Sequence, residues 1–281
     1  MSIWTELFNT EFQLKFVNVN GTKTRCLEAG SGEPLIFLHG TGGHIESHYR
    51  NIKSHAKFFH VYVIDMVGYG FTDKPTDETY TIPFYVEHVL NFMDTMKIEK
   101  AHISGQSLGG WVAAWIAIEH PERINKLILN TSGGLFADPK VMQTIKNSVT
   151  SSMGTPTREN VRKRLEHLIL HNEAVTEEMI DVRYLIYSQP EIQKVTNQIL
   201  VLQEMDERNN YLLSEGKLQK IKAPTCVIWT SHDPTALAES ARTFTKNIQD
   251  CEFHVIEDCA HWPQYEDAKK FNKIHIDFLL K

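Results

Sequence analysis

The chain has 281 residues, 42% of them hydrophobic and 23% charged, with a formal net charge of −6. That length allows one large core, or a core with a smaller insertion, and the composition is that of an ordinary globular protein. The acidic balance gives no footing for nucleic-acid binding, and the densest positive cluster, Arg162-Lys163-Arg164 between Glu159 and Glu166, reads as a solvated helix face. The first residues, Met1-Ser2-Ile3-Trp4-Thr5-Glu6, lack the basic region and apolar core of a signal peptide. No apolar run approaches the roughly 20 residues that cross a bilayer. Cys26, Cys226, Cys251 and Cys259 form no C-x-x-C pair. A cytoplasmic chain with reduced thiols is expected, with a Cys251–Cys259 link left open by the spacing.

In chain order, Phe12 to Val19 alternates as a strand, and Asn20-Gly21 turns it into a second over Thr24–Ala29. Leu35–Leu38 and Val61–Ile64 are short continuous apolar runs, the pattern of strands covered on both faces in a parallel sheet. Tyr49 to His60 is the expected crossover helix between them, and Ile82 to Met96 a second helix with Val86, Val89, Leu90 and Met93 along one face. A strand at Ala101–Ser104, a helix from Gly110 to His120 ended by Pro121, and a strand at Leu127–Asn130 continue the βα rhythm. Such repetition points to a doubly wound sheet. Past Gly133-Gly134 the texture changes. Helical spacing dominates to about Lys220, with helices expected over Val161–Ile169, Thr176–Ser188 and Glu191–Asn209. Strands resume at Thr225–Trp229 and Cys251–Ile256, and a helix from Gln264 to Leu280 closes the chain. The expected organisation is an α/β core of residues 1–133 and 221–281 with a helical cap at 134–220.

Gly105-Gln106-Ser107-Leu108-Gly109 falls between a strand and a helix. G-x-S-x-G in that context is a nucleophile elbow, whose glycines let a tight turn lift the serine hydroxyl out of the sheet. A serine needs a base, and the base needs an orienting acid. Asp233 follows one strand and His261 follows the next, so both stand at carboxyl ends of strands, where ligands collect in open α/β sheets. The plainer alternatives are a turn aspartate before Pro234 and an ordinary histidine. His39 reads as structural, and His232 as pointing away from the acid beside it. The loop His39-Gly40-Thr41-Gly42-Gly43 offers the N–H of Thr41, paired with that of Leu108, as an oxyanion hole, with Gly42 as the fallback donor. It lacks the Gly-Lys-Ser/Thr ending of a phosphate loop. His44 and His48 could share a helix face, and a substrate-facing or surface role fits them better than a metal site, since no H-E-x-x-H or tight His/Cys cluster appears. No cofactor and no metal is expected.

With these motifs in order along nearly the whole chain, it resembles the α/β-hydrolase superfamily. More narrowly, His39–Gly43, Asp65-Met66-Val67-Gly68-Tyr69-Gly70, Gly105–Gly110 and His261-Trp262-Pro263-Gln264 resemble the meta-cleavage product hydrolases, serine-dependent carbon–carbon bond hydrolases of aromatic breakdown. The resemblance implies an α/β-hydrolase fold and a small carboxylated substrate of the 2-hydroxy-6-oxo-dienoate type. It makes Arg183 the contact for the carboxylate and Trp262 a pocket wall, and it makes a homo-oligomer plausible; Gln106, Gly43 and His44 are further candidate substrate contacts. Apart from the resemblance, Arg183 could equally be a surface salt-bridge residue. The chain departs from the family where Gln106 replaces the usual asparagine, Leu108 the usual methionine, and Thr41-Gly42-Gly43-His44 a Gly-Pro-Gly turn. A carboxylesterase or lactonase with the same three residues is the nearest alternative, and a non-catalytic ligand-binding protein a more distant one.

Overall fold

The computed structural model describes residues 2–281. Strands β1 (Phe12–Val19) and β2 (Thr22–Ala29) form an antiparallel hairpin. Its two-residue turn has positive φ at both Asn20 and Gly21, the combination that matches the twist of paired strands. Then come β3 (Glu33–Leu38), β4 (Phe59–Ile64), β5 (Ala101–Gln106), β6 (Ile124–Asn130), β7 (Thr225–Thr230) and β8 (Cys251–Ile256). Together they make one sheet in the order β1-β2-β4-β3-β5-β6-β7-β8. β2 runs antiparallel to β4, and all later pairs are parallel. The chain leaves β3 toward β4 and returns on its other side as β5. Loops after β3 and β5 therefore diverge, opening a crevice at the carboxyl edge.

Alternate side chains of the central strands enter opposite layers. Ile36, Leu38, Leu127, Leu129, Val227 and Trp229 pack on one face. Leu35, Phe37, Ile128, Cys226 and Ile228 pack on the other. Both faces are dry, which is why these strands read as unbroken apolar runs. The short α1 (Ile3–Glu6) was not foreseen, and α2 (Tyr49–His55) is shorter than expected because β4 already begins at Phe59. α3 (Ile82–Thr95) and α4 (Leu108–Glu119) follow. All four cysteines are free thiols. Among the described residues no helix is long and apolar enough to cross a membrane.

Helices inserted between β6 and β7 form a cap: α5 (Pro139–Val149), α6 (Arg158–Leu168), α7 (Glu177–Tyr187), α8 (Pro190–Ile199), α9 (Met205–Tyr211) and α10 (Glu215–Leu218). A π-helical turn, Thr150–Gly154, extends α5. The single helix expected over 191–209 is two, because a 3-10 turn at Leu200–Gln203 and extended Glu204 interrupt it. Cap residues Val161, Leu165, Ile180 and Val195 share one buried cluster with Leu108 and Trp111 of the core. α11 (Ala238–Thr245), α12 (Pro263–Glu266) and α13 (Ala268–Leu279) complete the chain. The expected final helix is also broken, at Asp267, whose side chain caps the N-terminus of α13 through Lys270 N–H.

Candidate active site

Ser107 joins β5 to α4 with φ 53° and ψ −114°, a strained conformation that costs about 1–3 kcal/mol. Its surroundings hold it there. The Ser107 N–H donates to the Asn130 carbonyl at 3.0 Å, and its own carbonyl accepts from Gly133 N–H at 2.9 Å and Trp111 N–H at 3.0 Å. The flanking glycines are required by packing. A Cβ on Gly105 would overlap the Gly109 carbonyl, and one on Gly109 would overlap the Leu38 carbonyl. The result is a serine at the N-terminus of α4, lining a cavity under the cap.

His261 lines the same cavity, and Asp233 stands behind it. Asp233 Oδ2 is 2.9 Å from His261 Nδ1, with the carboxylate side chain wholly shielded from solvent. Its other oxygen, Oδ1, accepts from Thr235 N–H at 2.7 Å and from Thr235 Oγ1 at 2.6 Å. That fully used carboxylate fixes which way it faces. It directs an Nδ1–H tautomer of His261, leaving Nε2 free to accept a proton. The neighbouring His232 is exposed and turned to Ser231 Oγ at 2.8 Å, away from this pair.

The loop after β3 is set by His39, whose Nδ1 donates to the Gly40 carbonyl at 2.8 Å while Nε2 accepts from Met66 N–H at 3.0 Å. Complete burial holds this imidazole neutral, its pKa pushed down to about 3. Gly43 N–H closes a turn on the Gly40 carbonyl at 2.8 Å, with Gly42 at φ +74°. Gly40, Thr41 and Gly43 line the cavity beside Ser107 and Leu108. Gly42 does not; its carbonyl accepts the Tyr187 hydroxyl at 2.5 Å.

Gln106 is buried and also lines the cavity, yet its amide is directed at the site's own backbone. Nε2 donates to the His261 carbonyl at 3.3 Å and lies 3.4 Å from Thr131 Oγ1. Arg183 and His44 fall outside the cavity lining. Arg183 is buried, not a surface residue. Its Nη2 donates to Ser47 Oγ at 3.2 Å and its guanidinium lies 4.5 Å over the Trp262 ring, while Trp262 itself faces the cavity. Burial lowers its pKa. His44 and His48 are buried too, which overturns the surface alternative for both. His44 Nδ1 meets Glu46 Oε2 at 2.6 Å, and its Nε2 is buried without a partner. Burial, then the charge of Arg183, pushes the His44 pKa down to about 4.

Two residues that sequence reasoning missed also line the cavity, Arg164 and Arg208. Arg164 belongs to the cluster read as a solvated face. Arg162 and Lys163 do point outward, to Glu177 and Glu159. Arg164 instead turns inward and donates to the Thr41 carbonyl at 2.8 Å and Ser148 Oγ at 3.1 Å. Its spacing from Val161 and Leu165 follows the buried stripe of α6, a signal the charge pattern masked. The cavity lining mixes apolar walls, among them Trp111, Val141, Met142, Ile145 and Trp262, with polar groups that include both arginines, Gln203 and His261.

An eight-stranded, mostly parallel sheet, an inserted helical cap, and a serine elbow sharing one cavity with a histidine–carboxylate pair define an α/β-hydrolase. Residues 33–268 match the family model for the alpha/beta hydrolase fold. The chain is 33% identical to the 2-hydroxy-6-oxo-6-phenylhexa-2,4-dienoate hydrolase of Comamonas testosteroni, covering 90% of this chain and 89% of that protein. It is 31% identical to a 2-hydroxy-6-oxononadienedioate/2-hydroxy-6-oxononatrienedioate hydrolase of the same species, covering 94% and 96%. The meta-cleavage product hydrolase of Pseudomonas fluorescens IP01 superposes with a TM-score of 0.85 at 28% identity, covering 94% and 97%. The chain belongs to the α/β-hydrolase superfamily and, within it, to the meta-cleavage product hydrolases.

Proposed function

We propose that this enzyme cleaves the carbon–carbon bond of a 2-hydroxy-6-oxo-dienoate by acyl transfer through Ser107. The substrate enol first becomes its keto tautomer. His261 Nε2 then takes the Ser107 proton as the serine oxygen attacks the distal carbonyl. N–H groups of Thr41 and Leu108 stabilise the oxyanion, each worth roughly 3 kcal/mol. The bond breaks with its electron pair delocalised into the dienoate as a carbanion equivalent, which takes the proton back from His261 and leaves as the 2-hydroxydienoate, returning the imidazole to its neutral form. Water, activated by His261, then releases the carboxylic acid. Residues 134–220 act as the lid. The substrate carboxylate is assigned to Arg183, beside Ser47 and His44, a cluster that meets the cavity through Trp262. Gln106 positions His261 through its carbonyl and does not hold the carboxylate.

The observation that carries this reading is the shared cavity of Ser107 and a buried His261–Asp233 pair at 2.9 Å, in a chain with meta-cleavage hydrolase relatives. The test is a substrate panel. Synthetic 2-hydroxy-6-oxo-dienoates, followed by loss of their visible absorption, are compared with short p-nitrophenyl esters. Efficient dienoate cleavage is expected, with Arg183→Ala losing carboxylated substrates far more than neutral esters. Efficient ester turnover with no dienoate cleavage would overturn the reading in favour of an esterase or lactonase.

A further inference from the structure

Arg208 is a buried cation with no carboxylate among the described residues to answer it. It rises from α9 to within 4.7 Å of the Trp111 ring and is only 6% exposed. Its Nε donates to the Phe136 carbonyl at 2.8 Å and its Nη1 to the Leu202 carbonyl at 3.2 Å. Those two bonds leave Nη2 uncommitted. Burial alone pulls its pKa down to about 10, so it stays charged at neutral pH, and no carboxylate opposes the shift. Gln203 supplies an independent sign at the same place. It lines the cavity with Arg208, and its Oε1 is buried with no partner. Amide oxygen and nitrogen can be exchanged by a flip, so this orphaned end can equally present a donor. Among the described residues the one acid on the lining, Asp138, is exposed, and its Oδ1 is held by the N-terminus of α5.

We propose that Arg208 and Gln203 form a second anion-binding subsite for a carboxylate at the far end of the substrate's acyl group. The proposal rests on the carbon–carbon hydrolase reading for the rest of the substrate, and it makes that substrate a dianion: a dienoate whose acyl chain ends in its own carboxylate. Trp111 lies one helical turn along α4 from Ser107, Arg208 sits over its ring, and all three line the same cavity, so an acyl group on Ser107 shares that space with the guanidinium. Val141, Met142 and Ile145 line the same cavity and supply apolar walls for its methylenes. The competing role for Arg208 is a clamp that ties the cap to Phe136 through its two carbonyl bonds.

The experiment compares two substrate pairs in the native enzyme, Arg208→Gln and Arg208→Lys. One pair is 2-hydroxy-6-oxo-dienoates with a carboxylate-ended or a neutral acyl chain of equal length. The other is the p-nitrophenyl hemiester of glutarate against p-nitrophenyl valerate, which presents the same acyl groups to Ser107 without any carbon–carbon cleavage. The native enzyme is expected to favour the carboxylate-ended member of each pair at least tenfold in kcat/KM. Arg208→Gln should bring that ratio near one, mainly through KM, and Arg208→Lys should restore part of it. A native ratio near one, or parallel losses on both members, would overturn the subsite and leave Arg208 as the clamp. Absent dienoate cleavage with a retained, Arg208-dependent ester ratio would overturn the carbon–carbon reading and uphold the subsite. If Arg208→Gln does not fold, Arg208→Lys carries the test: a carboxylate preference lowered from the native ratio supports the proposal, and an unchanged ratio counts against it.

Discussion

Asp233→Asn is the sharpest test of the proposed relay, because the structure dictates how the new amide must face. Thr235 presents two donors, its N–H and its hydroxyl, to Asp233 Oδ1. An asparagine will place its oxygen there and turn its NH2 toward His261. The imidazole must then accept at Nδ1 and carry its proton on Nε2, the tautomer that cannot take a proton from Ser107. The charge is lost as well. For a carboxylate 2.9 Å from the ring nitrogen, the attraction to the imidazolium formed during attack is about 6 kcal/mol at an effective dielectric of about 20. The amide dipole returns part of this, leaving a deficit worth about three to four powers of ten in rate. Single-turnover loss of dienoate absorption should therefore slow by about 10³–10⁴, with KM changed by no more than about threefold. Circular dichroism and thermal melting would establish that the variant is folded. A folded Asp233→Asn enzyme that kept more than about a tenth of native kcat would refute the relay.

Two other outcomes follow from the same geometry. Gln106→Ala removes two long hydrogen bonds behind His261 but leaves Thr131 Oγ1 donating to the same carbonyl at 3.1 Å, so kcat should fall only about fivefold, for roughly 1 kcal/mol. Dienoates and neutral esters should suffer alike; a loss confined to carboxylated substrates would instead make Gln106 a substrate contact. Stability should fall in mild acid, because burial holds His39 and His48 at about 3 and His44, His55 and His88 at about 4. These folded values lie below the ordinary histidine value of about 6.5, so the unfolded chain takes up protons that the folded one refuses. Their contribution is whole above about pH 6.5 and drains away as pH falls toward about 4, each site losing up to about 1.4 kcal/mol per pH unit. Urea unfolding at pH 7, 6 and 5 should show a steep decline, and a flat profile would mean these imidazoles are not held neutral by the fold.

The core and the serine–histidine–aspartate arrangement were legible because one physical pattern generated both. Strands covered on two faces must be continuously apolar, so each stood out, and the candidate residues Ser107, Asp233 and His261 lie past their carboxyl ends. Element ends were less legible, since they depend on local capping. Asp267, which stops one helix and caps the next, sits inside an unbroken helical period. The direction of charged side chains was least legible. Arg164 was hidden because its neighbours Arg162 and Lys163 truly are solvated, although its spacing from Val161 and Leu165 marked the buried face. His44 and His48 were obscured in the same way, a polar residue being assigned to the surface unless a partner far along the chain is known.

Those hidden arginines are the basis of the proposed selectivity of the cavity. Arg164, Arg183 and Arg208 come from three separate cap helices, are each less than 9% exposed, and direct their hydrogen bonds to carbonyls and hydroxyls. Burying a cation without an anion is costly, and removing one partner of a buried pair leaves a penalty of about 3–5 kcal/mol. A chain with 35 acidic residues had ample means to pair them within its own fold. Arg183 feels the Glu46 carboxylate, whereas among the described residues Arg208 makes no ion pair, in a protein whose net charge is −6. Arg164 has its place at the Thr41 turn, where it steadies the loop beside the serine. The other two stand apart from the reacting bond, Arg183 against Trp262 and Arg208 against Trp111. Two such groups, each stacked on a cavity-lining tryptophan, support the proposed substrate negative at both ends over one with a single carboxylate.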